Sequence, residues 1–400
     1  MTTERDIKDT LSGSPFGSLR RRAGSAVAVA IIGLLTPTAA HADTRNPSPP
    51  AAGETVEVSL RATMTGTSGI IAVRPDGEVF ATYGRGKVRQ WNTATGRRAG
   101  PSLAVEDATV RSVAYSPDGK LLAVAGDGGV ALWDPATGEQ SGPPLTGHTG
   151  AVRSVAFSPA GPRLATAGED GTVRLWDPTT GDLVRTLTGH AGAVRFAVFS
   201  PDGERLASIG AGDHTVRLWQ TATGQPIGAG LAANPGPVYA VSFSPDGTLL
   251  ATSGGGNTVQ LYDAATGAPA GAPLAGTSAP VYALTFSADG ELLATSSGGD
   301  NTVGLWEVAT RQPVTTPLAG HTGPVRAMRF SPDGKLLATG SDDGTVRLWD
   351  AATGSLAGAP LTGHEGPVWA LRFSPNGKRL ITTGDDGKAR LWRLAATATN

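Results

Sequence analysis

Residues 148–190 read HTGAVRSVAFSPAGPRLATAGEDGTVRLWDPTTGDLVRTLTGH, and this stretch decides the fold. Three runs in it alternate apolar and polar residues: Val152 to Phe157, Leu164 to Thr166, and Thr172 to Trp176. Between them stand Ser158-Pro159 and Glu169-Asp170-Gly171, and a Thr-Gly turn leads into a short fourth run that ends at Thr188-Gly189-His190. Period-two alternation broken by such turns predicts antiparallel strands. Proline and Asp-Gly supply the fixed and positive φ values that tight turns require.

The same unit recurs along the chain. Trp91, Trp133, Trp176, Trp219, Tyr262, Trp306, Trp349 and Trp392 follow one another at intervals of 42 to 44 residues, so eight copies fill almost everything after the first fifty residues. Composition agrees. With 56 Gly and 29 Pro but only 17% charged residues in a chain of 400, long solvated helices are excluded and strands with turns are expected. The absence of cysteine excludes disulfides, thiolate metal sites and a cysteine nucleophile. A net charge of −1 gives no overall footprint for nucleic acid.

Gly-His early and Trp-Asp late in a unit of about 43 residues resemble the WD-repeat β-propeller family, as an exported, bacterial-type member with eight repeats. The resemblance implies an all-β fold: an eight-bladed propeller of four-stranded antiparallel blades over residues 56–394, followed by a tail, 395–400. The last copy has little chain after Trp392, whereas Val56, Val58 and Leu60 alternate at the other end of the chain. Val56 to Met64 is therefore expected to be the outer strand of the last blade and to close the ring. Seven blades are the alternative, but that arrangement would leave a complete repeat with nothing to pack on.

In that family a histidine, a hydroxyl residue, an aspartate and a tryptophan form a hydrogen-bond chain that ties the strands of a blade together. Here the matching sets are His148, Thr166, Asp170, Trp176; His190, Ser208, Asp213, Trp219; His321, Thr339, Asp343, Trp349; and His364, Thr382, Asp386, Trp392. These histidines are read as structural rather than catalytic, since each recurs in the same place with the same partners. The second repeat has Glu106 at the histidine place and is read as keeping Asp127 and Trp133; the sixth has Thr277 with Asp300 and Trp306. The first, with Met64 and Arg85, and the fifth, with Asn234, Gly256 and Tyr262, lack the set and are expected to open first.

No catalytic motif stands out. No Gly-Lys is followed by Ser or Thr as a phosphate loop requires, and Gly-x-Ser-x-Gly, His-Glu-x-x-His and calcium-loop patterns are missing. No cofactor, no metal and no enzymatic activity are expected. Function should lie where the copies differ. The place after the first valine of the unit reads Gly69, Arg111, Arg153, Arg195, Tyr239, Tyr282, Arg326 and Trp369, and the resemblance puts it near the mouth of the central channel. Arg, Tyr and Trp are the residues enriched in interface hot spots. The expected partner is a protein or peptide; binding of a carbohydrate, an anionic or another small ligand is the alternative, an extracytoplasmic propeller enzyme the third reading, and nucleic acid and stable membrane insertion are not expected. The protein is expected to be a monomer. Glu169, Asp342 and Asp385, in neighbouring turns, are read as setting the orientation of a partner.

Residues 1–42 are read as a secretory signal: Arg20-Arg21-Arg22, an apolar run from Ala23 to Leu35, and Ala40-His41-Ala42. The Pro-rich stretch 43–55 is read as a linker. A secreted or cell-envelope location follows, with tethering by an uncleaved N-terminal segment as the alternative.

Overall fold

The computed structural model describes residues 56–67, 71–105, 109–231, 236–274 and 279–396. The signal and linker, residues 397–400 of the tail, and Gly69, Glu106, Asn234 and Thr277 lie outside the described residues. Every regular element among the described residues is a strand, and these form eight antiparallel sheets. Among the described residues no helix is long and apolar enough to cross a membrane.

Each sheet starts with an inner strand: Ile71–Val73, Val110–Tyr115, Val152–Phe157, Val194–Phe199, Val238–Phe243, Leu284–Phe286, Val325–Phe330 and Val368–Phe373. The alternation seen in the sequence is the cause. Val152, Val155, Ala156 and Phe157 are buried, and the strand carries little that could face water on either side. The turn after it is held by its own side chains. In the second repeat Ser116 Oγ donates to Asp118 at 2.6 Å and accepts from the Leu121 N–H at 2.9 Å, while Gly119 takes φ +70°.

The outer strands depart from expectation. Only four sheets have four strands, completed by Leu103–Ala104, Leu183–Leu187, Pro226–Leu231 and Val56–Thr65. In the second, fifth, sixth and seventh repeats the fourth strand shrinks to two isolated bridges, such as Val130 with Leu145 and Trp133 with Gln140. The reason is local. A proline, Pro144, Pro273, Pro317 or Pro360, comes immediately before the bridging leucine in these repeats, and it has no N–H to give to the ladder. The leucine itself still donates, as Leu361 does to the Val346 carbonyl at 2.7 Å.

Apolar clusters between neighbouring sheets form the core. Leu164 and Trp176 of the third repeat pack with Leu132 and Leu145 of the second. The first and last described strands also meet. Val56–Thr65 pairs antiparallel with Lys388–Ala396, and Met64, Ile71 and Phe80 form one cluster with Ala370, Ile381 and Leu391. Phe80 is fully buried there, and burial of such a ring contributes about 1.5–3 kcal/mol. The last strand runs to Ala396, two residues beyond the boundary of 394 expected from the sequence, because Val56 and Glu57 pair with Ala396 and Ala395.

Candidate binding face

The residue after the first valine sits on the same irregularity in six repeats. Val110 pairs with Gly126 and Ser112 with Ala125, so Arg111 is skipped by the ladder; Arg153, Arg195, Tyr239, Arg326 and Trp369 are skipped in the same way. Such a bulge bends the strand and re-aims the side chain. Tyr282 precedes the short strand Leu284–Phe286.

Opposite each of these residues stands one whose N–H donates to the carbonyl just ahead of the first valine: Asp127, Glu169, Ala211, Gly255, Gly298, Asp342 and Asp385. Where it is acidic and faces arginine, an ion pair forms. Arg111 Nε donates to Asp127 at 2.7 Å, Arg153 pairs with Glu169, and Arg326 Nη2 donates to Asp342 at 2.8 Å with its Nε at 3.1 Å. Of the three consecutive arginines Arg111, Arg153 and Arg195, carboxylates thus neutralise the first two. Glu169 and Asp342 are tied to arginines and are not free to orient a partner.

Arg195 differs. Ala211 stands where a carboxylate would be, and no acidic side chain pairs with Arg195 among the described residues. Burial and the nearby charge of Arg153 push its pKa below the ordinary arginine value, with Tyr239 opposing them. Next to it the rings of Tyr239 and Tyr282 meet at 5.2 Å and 56°, and Arg326 Cζ lies 4.4 Å from the Tyr282 ring. Burial works against the Arg326 charge, but Asp342 outweighs it and raises the pKa. Trp369 is half-buried, and Asp385 across from it is exposed with no side-chain partner among the described residues. Gly298 lies against Tyr282, where a Cβ would run into the ring.

The four histidines stand in closed chains. His148 Nδ1 donates to Asp170 at 2.9 Å, the Thr166 hydroxyl lies 2.7 Å from Nε2, and Trp176 Nε1 donates to Thr166 at 2.9 Å. The corresponding contacts join His190, Ser208, Asp213 and Trp219; His321, Thr339, Asp343 and Trp349; and His364, Thr382, Asp386 and Trp392. With the aspartates ionised, Nδ1 of His148, His190 and His321 carries the proton and Nε2 accepts from the hydroxyl, whereas at His364 the Arg390 Nη1, a donor only, lies 2.7 Å from Nδ1. Burial pushes all four histidines below their ordinary pKa, against the pull of the aspartates. They are neutral, with both ring nitrogens engaged. Among the described residues no group of three or more His, Asp or Glu is placed to hold a metal ion.

The family description "WD domain, G-beta repeat" matches seven segments: 102–134, 140–177, 181–220, 225–263, 272–307, 311–350 and 357–393. The chain belongs to the WD40 repeat family. The match leaves out residues 71–101, whose copy keeps Trp91 donating to Thr82 at 2.8 Å but has Arg85, at φ +53°, where the equally short turn of the second repeat has Asp127. No curated protein matches the chain. Among solved structures, the crystal structure of the computationally designed Ika8 protein is similar, with a TM-score of 0.73 and 24% identity over 85% of this chain and 100% of that one. That likeness concerns the fold alone.

One WD40 copy corrects the reading of the second repeat. Asp127 does not occupy the tetrad place; its turn is a residue shorter, so it aligns with Glu169 and takes Arg111 instead. Val124 stands at the hydroxyl position, which leaves the buried Trp133 Nε1 without a hydrogen-bond partner among the described residues. Asp300 of the sixth repeat does hold the tetrad position, accepting from the Thr302 N–H and hydroxyl. The arginine–acid pairs were missed in the sequence, although their constant separation of sixteen residues is a readable signal.

Proposed function

We propose that this chain is a non-catalytic, extracytoplasmic eight-bladed propeller that binds a protein or peptide partner across the face carrying Arg195, Tyr239, Tyr282 and Trp369. WD40 repeats generally mediate protein–protein interaction. The count of eight sheets and the apolar cluster joining Phe80 to Leu391 support a ring closed by Val56–Thr65. The observation that carries the binding reading is Arg195. It is a partly buried guanidinium facing Ala211, next to a tyrosine pair, and a carboxylate from a partner would complete the arrangement that Asp127, Glu169 and Asp342 complete internally. The partner is therefore an acidic peptide segment with an apolar or aromatic neighbour that can lie on Tyr239 and Tyr282. The signal-like residues 1–42 support export.

The test is a cross-linked pull-down from the cell envelope with wild type and with a folded variant carrying Arg195→Glu, Tyr239→Ala and Trp369→Ala. A partner captured by the first and lost by the second supports the reading. Identical capture by both sinks it.

A further inference from the structure

The pairing of arginine with acid on the binding face is broken twice, in opposite senses. The fourth repeat keeps the cation, Arg195, but has Ala211 for the acid; the eighth keeps the acid, Asp385, but has Trp369 for the cation. The backbone is the same in both kinds of repeat. Val368 pairs with Gly384 and Ala370 with Thr383, so Trp369 is skipped by the ladder as Arg326 is, and the Asp385 N–H donates to the Pro367 carbonyl as the Asp342 N–H does to Pro324. Trp369 and Asp385 thus occupy the two places at which Arg326 reaches Asp342 at 2.8 Å.

Neighbouring groups fill neither gap. The two cations that follow Asp385 are engaged, Lys388 with Glu365 at 3.2 Å and Arg390 with Asp386 at 2.8 Å. The acid that follows Ala211, Asp213, accepts from the His190 ring at 2.9 Å. A half-buried indole with an exposed carboxylate is the complement of a cation, which gains from the ring face and from the opposite charge together. Guanidinium suits both, being planar for the ring and forked for the carboxylate. Neighbouring sheets touch in chain order, and Ile71–Val73 of the first also touches Val368–Phe373 of the eighth. In the closed ring of eight proposed above, the fourth and eighth repeats stand on opposite sides of the channel mouth, one with an unmatched positive charge and the other with an unmatched negative one.

We propose that Trp369 and Asp385 form a subsite for an arginine of the bound peptide, opposite the Arg195 subsite for its acidic residue, so that the two charges fix which end of the segment lies over which repeat. The subsite rests on the partner-binding reading above and adds a second anchor to it. The test is selection of a random peptide library, displayed on phage, against the full chain at fixed ionic strength. Wild type is expected to enrich peptides with an acidic residue and an arginine at a constant spacing, and Asp385→Arg to enrich peptides with acids at both places. A selected peptide, resynthesised, should bind Asp385→Asn about tenfold more weakly than wild type, whereas its citrulline analogue, which lacks the charge, should bind the two alike. Trp369→Leu should act in the same sense as Asp385→Asn, and Asp182→Asn, an exposed acid in the turn before an outer strand, should change nothing. Thermal melts establish that each variant is folded. Enrichment of acidic peptides without arginine, bound equally by Asp385→Asn, would overturn the subsite and leave the Arg195 reading standing. An equal loss for the arginine and citrulline peptides would also overturn it, and enrichment of no peptide at all would overturn both.

Discussion

Leu60 lies opposite Trp392 in an antiparallel ladder that joins the first described strand to the last. The ladder shields a cluster that includes Met64, which is 3% exposed. Truncating Met64 to alanine should cost about 2–5 kcal/mol, as for other buried large-to-small changes. Chemical denaturation of wild type and variant measures this. A loss under half a kilocalorie, roughly the size of an ordinary surface substitution, would mean that the seam contributes little.

Thr166 Oγ1 serves two partners at once, the His148 ring and the Trp176 indole. Thr166→Val should cost about 1–3 kcal/mol, because both partners stay buried and unsatisfied. Val124 in the second repeat is the natural counterpart, with Trp133 Nε1 left over. Val124→Thr should therefore gain about 1 kcal/mol. Thermal unfolding of the two single variants checks both signs together.

Acid should weaken the protein through the same chains. The folded histidines have pKa values below 6.5, while those of the unfolded chain stay near it, so the unfolded chain binds more protons in this range. Their contribution is fully present above about pH 6.5 and is lost as the pH falls through the lower folded values. Asp213, for which burial opposes and the His190 hydrogen bond favours ionisation, is held at about 2 against 3.8, so its contribution is lost only below that range. A melting temperature that is flat above pH 7 and falls from pH 6.5 downward is expected; a rise on acidification would contradict it.

Ala211→Asp should give Arg195 the internal carboxylate that Arg153 has in Glu169. Capture of an acidic partner should then fall about tenfold while the fold is unchanged. Unchanged capture in a binding assay would remove Arg195 from the interface.

The fifth repeat lacks the histidine chain and has Tyr262 in place of tryptophan. Its strand Leu249–Gly254 should exchange amide hydrogens faster than Leu336–Ser341, where His321, Thr339 and Trp349 are linked. Exchange measured by mass spectrometry compares them directly, and equal protection would deny the chains a stabilising role.

Much of this was readable in the sequence because the period is carried by large, distinctive residues: Trp176 recurs as Trp219 and Trp349, and Asp-Gly marks the turns. What escaped the reading lies between columns of the repeat rather than within one. The partner of Arg153 is Glu169, in the turn after the strand Leu164–Gly168, and a bulge brings them together that no single run of alternation reveals. Asp127 was misplaced because one residue is missing from its turn, and spacing from the tryptophan alone does not show on which side of the aspartate the gap falls. The loss of outer strands follows from Pro144, Pro273, Pro317 and Pro360, single residues whose effect depends on which N–H the ladder needs.

The bulge under Arg111, Arg153, Arg195, Tyr239, Arg326 and Trp369 has a consequence for how such a chain can change. A residue left out of the ladder can be exchanged without altering any strand-to-strand hydrogen bond. These six positions behave as interchangeable letters on a fixed frame, and selection or a combinatorial library can rewrite what the face recognises while the problem of folding stays solved.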